Sequence, residues 1–179
     1  MHKIESVTLF SQPLASIPVI YSNKGLRFWE GGCTWIDEGQ AVLQLRKSFA
    51  TKERYLWIYS KQELLQHEAV HLMRQHMKEP IFEEVLAYRT SSSRLRRFLG
   101  PFFRTPRESL LFVPLLLFLP FTMIAYYLLG ALTLFGMIRL FWTQAKFKRA
   151  LHHFTKELGS QEKALSHMLF LTDKEILSV

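Results

Sequence analysis

Disulfides have no part in holding this 179-residue chain together, because Cys33 is its only cysteine and one thiol cannot close an intramolecular bridge. No histidine-assisted context surrounds it, so Cys33 reads as a small packed side chain rather than a nucleophile. No uninterrupted apolar stretch follows Met1-His2-Lys3-Ile4-Glu5, which argues against a signal peptide and for an amino-terminal part that stays in the cytosol. Internal repeats are lacking, and Ser91-Ser92-Ser93 is the one mild linker signal. The most informative absence is of charge: thirty consecutive residues, 109 to 138, carry none.

A helix needs about twenty apolar residues to cross a bilayer, so this run exceeds the requirement. As one helix it would measure about 45 Å against a hydrocarbon core of about 30 Å. The excess predicts either a long tilted helix kinked near Pro114 or Pro120, or two short helices in a re-entrant or tightly turned hairpin broken around Pro120-Phe121-Thr122. Gly130 and Gly136 are six apart, so the small-residue motif of dimerising membrane helices is missing. A chain of this size also has too little other surface to bury the run inside protein.

Charge is placed accordingly. Residues 1 to 88 hold ten basic and ten acidic side chains, whereas residues 89 to 179 hold thirteen and five, which accounts for the whole net charge of +8. Arg94, Arg96, Arg97, Arg104 and Arg107 precede the apolar run, and Arg139, Lys146, Lys148 and Arg149 follow it, as expected of side chains that meet anionic lipid headgroups. Phe102, Phe103 and Trp142 fall at the expected interfaces. The arginines form no nucleic-acid recognition motif, so the expected partner is the lipid bilayer and not nucleic acid. With both flanks basic, a hairpin puts both on the cytoplasmic side.

The first sixty residues read as a small sheet. Val7–Phe10, Val19–Tyr21, Gln40–Leu45 and Tyr55–Tyr59 are strand candidates, and Ser22-Asn23-Lys24-Gly25 is a turn. Phe28, Trp29 and Trp35 are expected in the core. Ser60-Lys61-Gln62-Glu63 then has the pattern of a capping box that opens a helix, and Pro80 ends or bends that helix before a second begins near Ile81.

Within the first of these helices stands His67-Glu68-Ala69-Val70-His71. Residues four apart share a helical face, so His67 and His71 can aim imidazole nitrogens at one ion, the first half of a zinc site. Glu68 leaves the helix about 100° from His67, beside the ion rather than on it, where it can act as general base toward a bound water. Glu83 or Glu84, in the first turn of the second helix, can complete the ligand set if the two helices fold as a short hairpin. His76, five residues beyond His71, falls on the wrong face.

The pattern His67-Glu68-x-x-His71 followed by Glu84-Val85-Leu86-Ala87 resembles the gluzincin zinc metallopeptidases over about twenty residues. The resemblance implies Glu84 as third ligand of one Zn2+, with Glu83 as the alternative, and a protein or peptide substrate laid against an edge strand near the active helix. Many gluzincins have an Asp that orients a metal-binding His where this chain has Tyr88. Tyr88 is thus a candidate for packing, for supporting the ligands, or for offering its hydroxyl to the transition state. Twenty-four residues separate Glu84 from Ser109, so the metal is expected near the membrane surface and membrane or membrane-proximal proteins are the expected substrates.

After the run, Leu140, Phe147, Leu151, Phe154 and Leu158 recur at helical spacing, which predicts an amphipathic helix lying on the membrane or docked on the catalytic part. Gly159-Ser160 ends it, Gln161–Phe170 is a further helix, and Thr172-Asp173 caps a last turn. His152 and His153 are adjacent and read as surface residues. The expected class is α+β: a catalytic part over residues 1–99 in which a small sheet packs on an active-site helix and a second helix, a linker over 100–108, a membrane segment over 109–142 as one helix or a hairpin, and C-terminal helices over 143–179. The expected function is that of a membrane-anchored zinc metallopeptidase with its catalytic part in the cytoplasm. The competing expectation is a catalytically inactive membrane-anchored scaffold that retains the same fold.

Overall fold

The computed structural model describes residues 2–5, 7–10, 12–13, 17–27, 30–37, 40–55, 59–77 and 79–179. The architecture is α+β. Four strands form the main sheet: β1 (His2–Glu5), β4 (Ile17–Tyr21), β5 (Gly32–Asp37) and β6 (Gln40–Leu45), in the order β1-β4-β6-β5. The β4/β6 pair is parallel and the two outer pairs are antiparallel. Short pairs β2 (Thr8–Leu9) with β3 (Gln12–Pro13), and β7 (Arg54–Tyr55) with β8 (Tyr59–Ser60), flank it. In place of the expected single strand over 55–59, Tyr55 and Tyr59 belong to two short strands that pair with each other; residues 56–58 lie outside the described ones.

Alternation in the strands sets the buried face. Ile17, Val19, Leu43 and Leu45 join Val7 and Phe49 beneath one side of helix α1 (Lys61–Arg74), which contributes Leu64, Leu65 and Ala69. The turn expected at 22–25 is present, with Gly25 at φ +81°, a conformation that suits glycine, and the buried Gln44 amide holds it by donating to Ser22 O at 2.9 Å and Lys24 O at 3.0 Å. Strand β5 was not among the sequence candidates. Trp35 on it is 49 % exposed rather than part of the core: Thr34 faces α1, so its neighbour points to the uncovered face of the sheet. Phe28 and Trp29 lie outside the described residues.

The expected capping box at α1 is half formed. Ser60 accepts from the Glu63 N–H at 3.2 Å, but the Glu63 carboxylate pairs with Arg96 at 2.7 Å. The second helix, α2 (Pro80–Arg89), has proline in its first turn and no cap from its own segment. Its cap arrives from far along the chain, where the Asp173 carboxylate accepts from the Ile81 N–H at 2.8 Å and also takes a contact at 3.1 Å from Arg74 at the end of α1. Arg74 is fully buried and donates further to the carbonyls of Met168, Leu169 and Leu171. One buried ion pair thereby fixes both sides of the α1–α2 turn.

Helix α3 (Arg94–Leu99) follows, then a single 3-10 turn (Gly100–Phe102), α4 (Pro106–Phe118) and α5 (Met123–Leu158). The apolar run is therefore two helices. Pro114 stays inside α4 and the break falls at 119–122, around Pro120. The helices run antiparallel, since Arg139 of α5 pairs with Glu108 of α4 at 2.6 Å and Phe112 lines a common cavity with Leu132 and Phe135. Helix α5 passes both the 142/143 boundary expected from the sequence and Arg139 without interruption. Its second half is core: Phe147, Ala150, Leu151 and Phe154 pack with Phe82, Val85 and Leu86 of α2 and with α6 (Gln161–Met168) and α7 (Asp173–Leu177). The expected amphipathic helix docks on the body. Gly159 at φ +78° ends α5, and Thr172 and Glu175 form a reciprocal capping box at α7.

Helix α1 thus lies between two cores, the sheet on one side and the α2–α5 layer on the other. One long helix, α5, contains a stretch long and apolar enough to cross a membrane.

Candidate metal centre

The helical period of α1 places His67 and His71 side by side, with Nε2 of one 3.2 Å from Nε2 of the other. Helix α2 packs antiparallel across them and delivers Glu84, whose oxygens lie 3.5 Å from Nε2 of His71 and 3.9 Å from Nε2 of His67. Bonds of about 2.0–2.2 Å in a tetrahedral site put neighbouring ligand atoms about 3.3–3.6 Å apart. Two imidazole nitrogens and a carboxylate at these spacings can hold a metal ion, and this is the one such grouping among the described residues.

The two adjacent glutamates divide their work because successive helical residues diverge by about 100°. Glu84 faces the Nε2 atoms. Glu83 instead reaches the far side of the His71 ring, with Oε1 2.7 Å from Nδ1. That contact keeps a proton on Nδ1 and the Nε2 lone pair toward the centre, the arrangement that supports histidine ligands. His67 is oriented by a hydrogen bond to the Ala87 backbone, and the Tyr88 ring stands edge-on to it with centroids 4.7 Å apart. Tyr88 is itself backed by Gly100, where a Cβ would come within 2.4 Å of the ring. The Tyr88 ring packs on His67, and the carboxylate that meets a ring nitrogen of His71 from behind is Glu83.

Glu68 points off the line of the two histidines and is buried. The Thr34 hydroxyl of β5 lies 3.0 Å from its carboxylate and 3.2 Å from its backbone carbonyl. Thr34 is a site residue that sequence reasoning missed; only the strand's placement over α1 identifies it.

The charges are tightly coupled. Burial, then the neighbouring His71 charge, pushes the His67 imidazolium down to about 3 against the opposing Ala87 bond. Burial acts on His71 as well, but the Glu83 bond and the charges of Glu84 and Glu68 outweigh it and raise His71 to about 9. Burial raises Glu84 to about 7, opposed by His71 and assisted by Glu68 and Glu83. Glu68 is also raised, chiefly by burial. Three carboxylates around two imidazoles make a pocket that demands positive charge, from protons or from a cation.

His76, His152 and His153 are exposed and belong to no such group. Burial, with the charges of Glu68 and Glu30, pushes the Cys33 thiol up to about 11, which leaves it unreactive. Beside His67 opens a cavity of about 50 Å³ lined by Leu64, Tyr88, Thr90 and Arg96. β5 forms one edge of the main sheet, next to Glu68. In comparisons with known proteins the chain matches no family model, no curated protein and no solved structure.

Proposed function

We propose that this protein is a membrane-anchored, zinc-dependent metallopeptidase of gluzincin type, with His67, His71 and Glu84 as ligands and Glu68 as general base. The observation that carries the reading is the convergence of three donor atoms on one point, backed by Glu83 on the outer nitrogen of His71. A two-nitrogen, one-carboxylate set with an open fourth position is typical of catalytic rather than structural zinc.

Bound there, zinc supplies Lewis acidity that polarises a scissile carbonyl and makes water acidic enough to lose a proton near neutral pH. Glu68 accepts that proton as the oxygen of water bonds to the carbonyl carbon, then passes it to the amine as the C–N bond breaks, so that water and peptide become an acid and an amine. Its raised pKa suits both steps. Thr34 holds the carboxylate in one orientation, which shortens the search for the reactive geometry. The edge of β5, unpaired among the described residues, offers backbone donors and acceptors to an extended peptide by strand addition, and the cavity beside His67 has room for a small side chain. Tyr88 keeps His67 in place.

The apolar α4–α5 pair holds the chain in a bilayer, and its basic flanks favour the cytoplasmic face for the catalytic part. Substrates are then membrane proteins or their membrane-proximal segments. Metal analysis of protein purified in detergent tests the site: about one zinc per chain is expected, and its retention in a His67→Ala, His71→Ala double variant would overturn the ligand assignment. A scaffold that has kept the site without turnover would bind zinc and cleave nothing.

A further inference from the structure

We infer that the α4–α5 hairpin is re-entrant: the chain enters and leaves the bilayer through the same face, and the tip at 119–122 never reaches the opposite aqueous phase. The inference rests on the membrane half of the proposed function and not on its metal site.

Length is the first argument. Helix α5 contains a stretch long enough to cross, but a hairpin that crossed would need both legs to do so, and thirteen-residue α4 spans about 20 Å against a hydrocarbon core of about 30 Å. The shorter leg cannot carry a polar loop across.

The tip is built for a dry surrounding. Backbone polar groups in hydrocarbon must be satisfied within the protein, and here the N–H groups of Phe121 and Thr122 both donate to Phe118 O, that of Ala125 to Thr122 O, and that of Ile124 to the Thr122 hydroxyl. Pro120 has no N–H to satisfy. Along the leg, the Thr133 hydroxyl is spent on Leu129 O at 2.7 Å. Phe121 is 80 % exposed and Met123 71 %, an apolar end with no charged side chain to anchor it in water.

The opposite end of the hairpin is charged and clamped. The Arg139 guanidinium meets both Glu108 oxygens, at 2.6 and 2.7 Å, and the Phe102 carbonyl at 2.8 Å. Gly136 lets the Phe102 ring approach, since a Cβ there would meet it at 2.6 Å. The basic helix α3 lies alongside, with Phe98 against Phe141 at 5.4 Å between centroids and the Arg97 carbonyl accepting from Gln144 at 3.2 Å. Arg94 and Arg97 before the hairpin and Lys146, Lys148 and Arg149 after it are therefore carried on two helices packed together at the same end of the hairpin, a placement that suits one anionic lipid surface. Over the same stretch, from Phe147 onward, α5 enters the core that contains α2. A single crossing would have to separate α3 from the second half of α5, which the structure holds together.

Single-cysteine labelling tests this. In a Cys33→Ser background, full-length Ser92→Cys and Gln161→Cys are each treated with a membrane-impermeant maleimide in inside-out and right-side-out vesicles, and Phe121→Cys is treated likewise. The expected result is that the 92 and 161 positions label in the same vesicle orientation, and that the 121 position labels in neither until detergent is added. Labelling of 92 and 161 from opposite sides, or rapid labelling of 121 from the far side, would overturn the inference. Recovery of the protein in the soluble fraction after alkaline carbonate, as a monomer or an oligomer, would overturn it too. Zinc measured on the same vesicles reports separately on the metal site.

Discussion

The Glu83 carboxylate lies 2.7 Å from Nδ1 of His71, on the opposite side of the ring from the Nε2 that faces Glu84 at 3.5 Å. Two neighbouring acids on one helical turn thus meet the same histidine at its two nitrogens, Glu84 within the group that could hold a metal ion and Glu83 behind the ring. Removing the charge of the outer acid weakens the centre without dismantling it. Glu83→Gln is expected to lower zinc affinity about tenfold, the lower end of the range for such supporting contacts, with the stoichiometry unchanged. Glu84→Gln should lower it further, because a direct ligand is exchanged for a neutral amide. Competitive titration with a chelating dye measures both, and a larger loss in the Glu83 variant would exchange the two roles.

Metal loading should release protons. With His71 raised to about 9 and Glu84 to about 7, the metal-free site at pH 7 holds one proton on His71 and part of another on Glu84, and both must leave as zinc binds. Affinity is therefore expected to climb from about pH 6 to about pH 9, the window those two groups define. Calorimetry in buffers of different ionisation enthalpy should count between one and two protons per zinc at pH 7. A count near zero would mean that His71 is neutral before loading.

Asp173 is expected to matter well beyond its own short helix. It pairs with the fully buried Arg74 and caps α2, so Asp173→Ala leaves a buried guanidinium without its counter-ion and should cost about 3–5 kcal/mol. Thermal unfolding in detergent measures the loss. Zinc should recover part of it by binding only the folded state, and a melting temperature equal to wild type would show that the ion pair contributes nothing.

Thr34→Val tests the link between β5 and the base. The side chain keeps its shape and loses the hydroxyl that meets Glu68 at 3.0 Å. Zinc content should stay at wild-type level while kcat falls about tenfold through looser positioning. An unchanged kcat at full zinc content would remove Thr34 from the site.

Local periodicity made His67, Glu68 and His71 legible as a set, because each depends only on its place on α1. The choice between Glu83 and Glu84 was not legible: both lie in the first turn of α2, and what separates them is the angle at which α2 crosses α1, set by cores on either side. Thr34 was hidden because β5 opens Gly32-Cys33 and lacks a clear alternation of apolar residues. The glycine that weakens the strand signal is needed there, since a Cβ at Gly32 would come within 2.8 Å of the Gln44 carbonyl. The half-formed capping box failed through a distant partner, Arg96, that competes for Glu63. The thirty uncharged residues announced a lipid-length segment and Pro120 marked where it could break, but the choice of a hairpin over one kinked helix depends on Glu108 meeting Arg139, a contact that composition alone does not reveal.

The most direct test of the central claim is hydrolysis by wild type and Glu68→Gln at matched zinc content, with a library of membrane-proximal peptides as substrate. The buried Glu68 carboxylate stands beside the ligand set, so the amide should leave zinc in place and remove the proton acceptor. Wild type is predicted to cleave and the variant to lose cleavage by several orders of magnitude, about the contribution of a general base together with the steps it gates. Equal cleavage by both proteins, or none by zinc-loaded wild type across the library, would contradict the account.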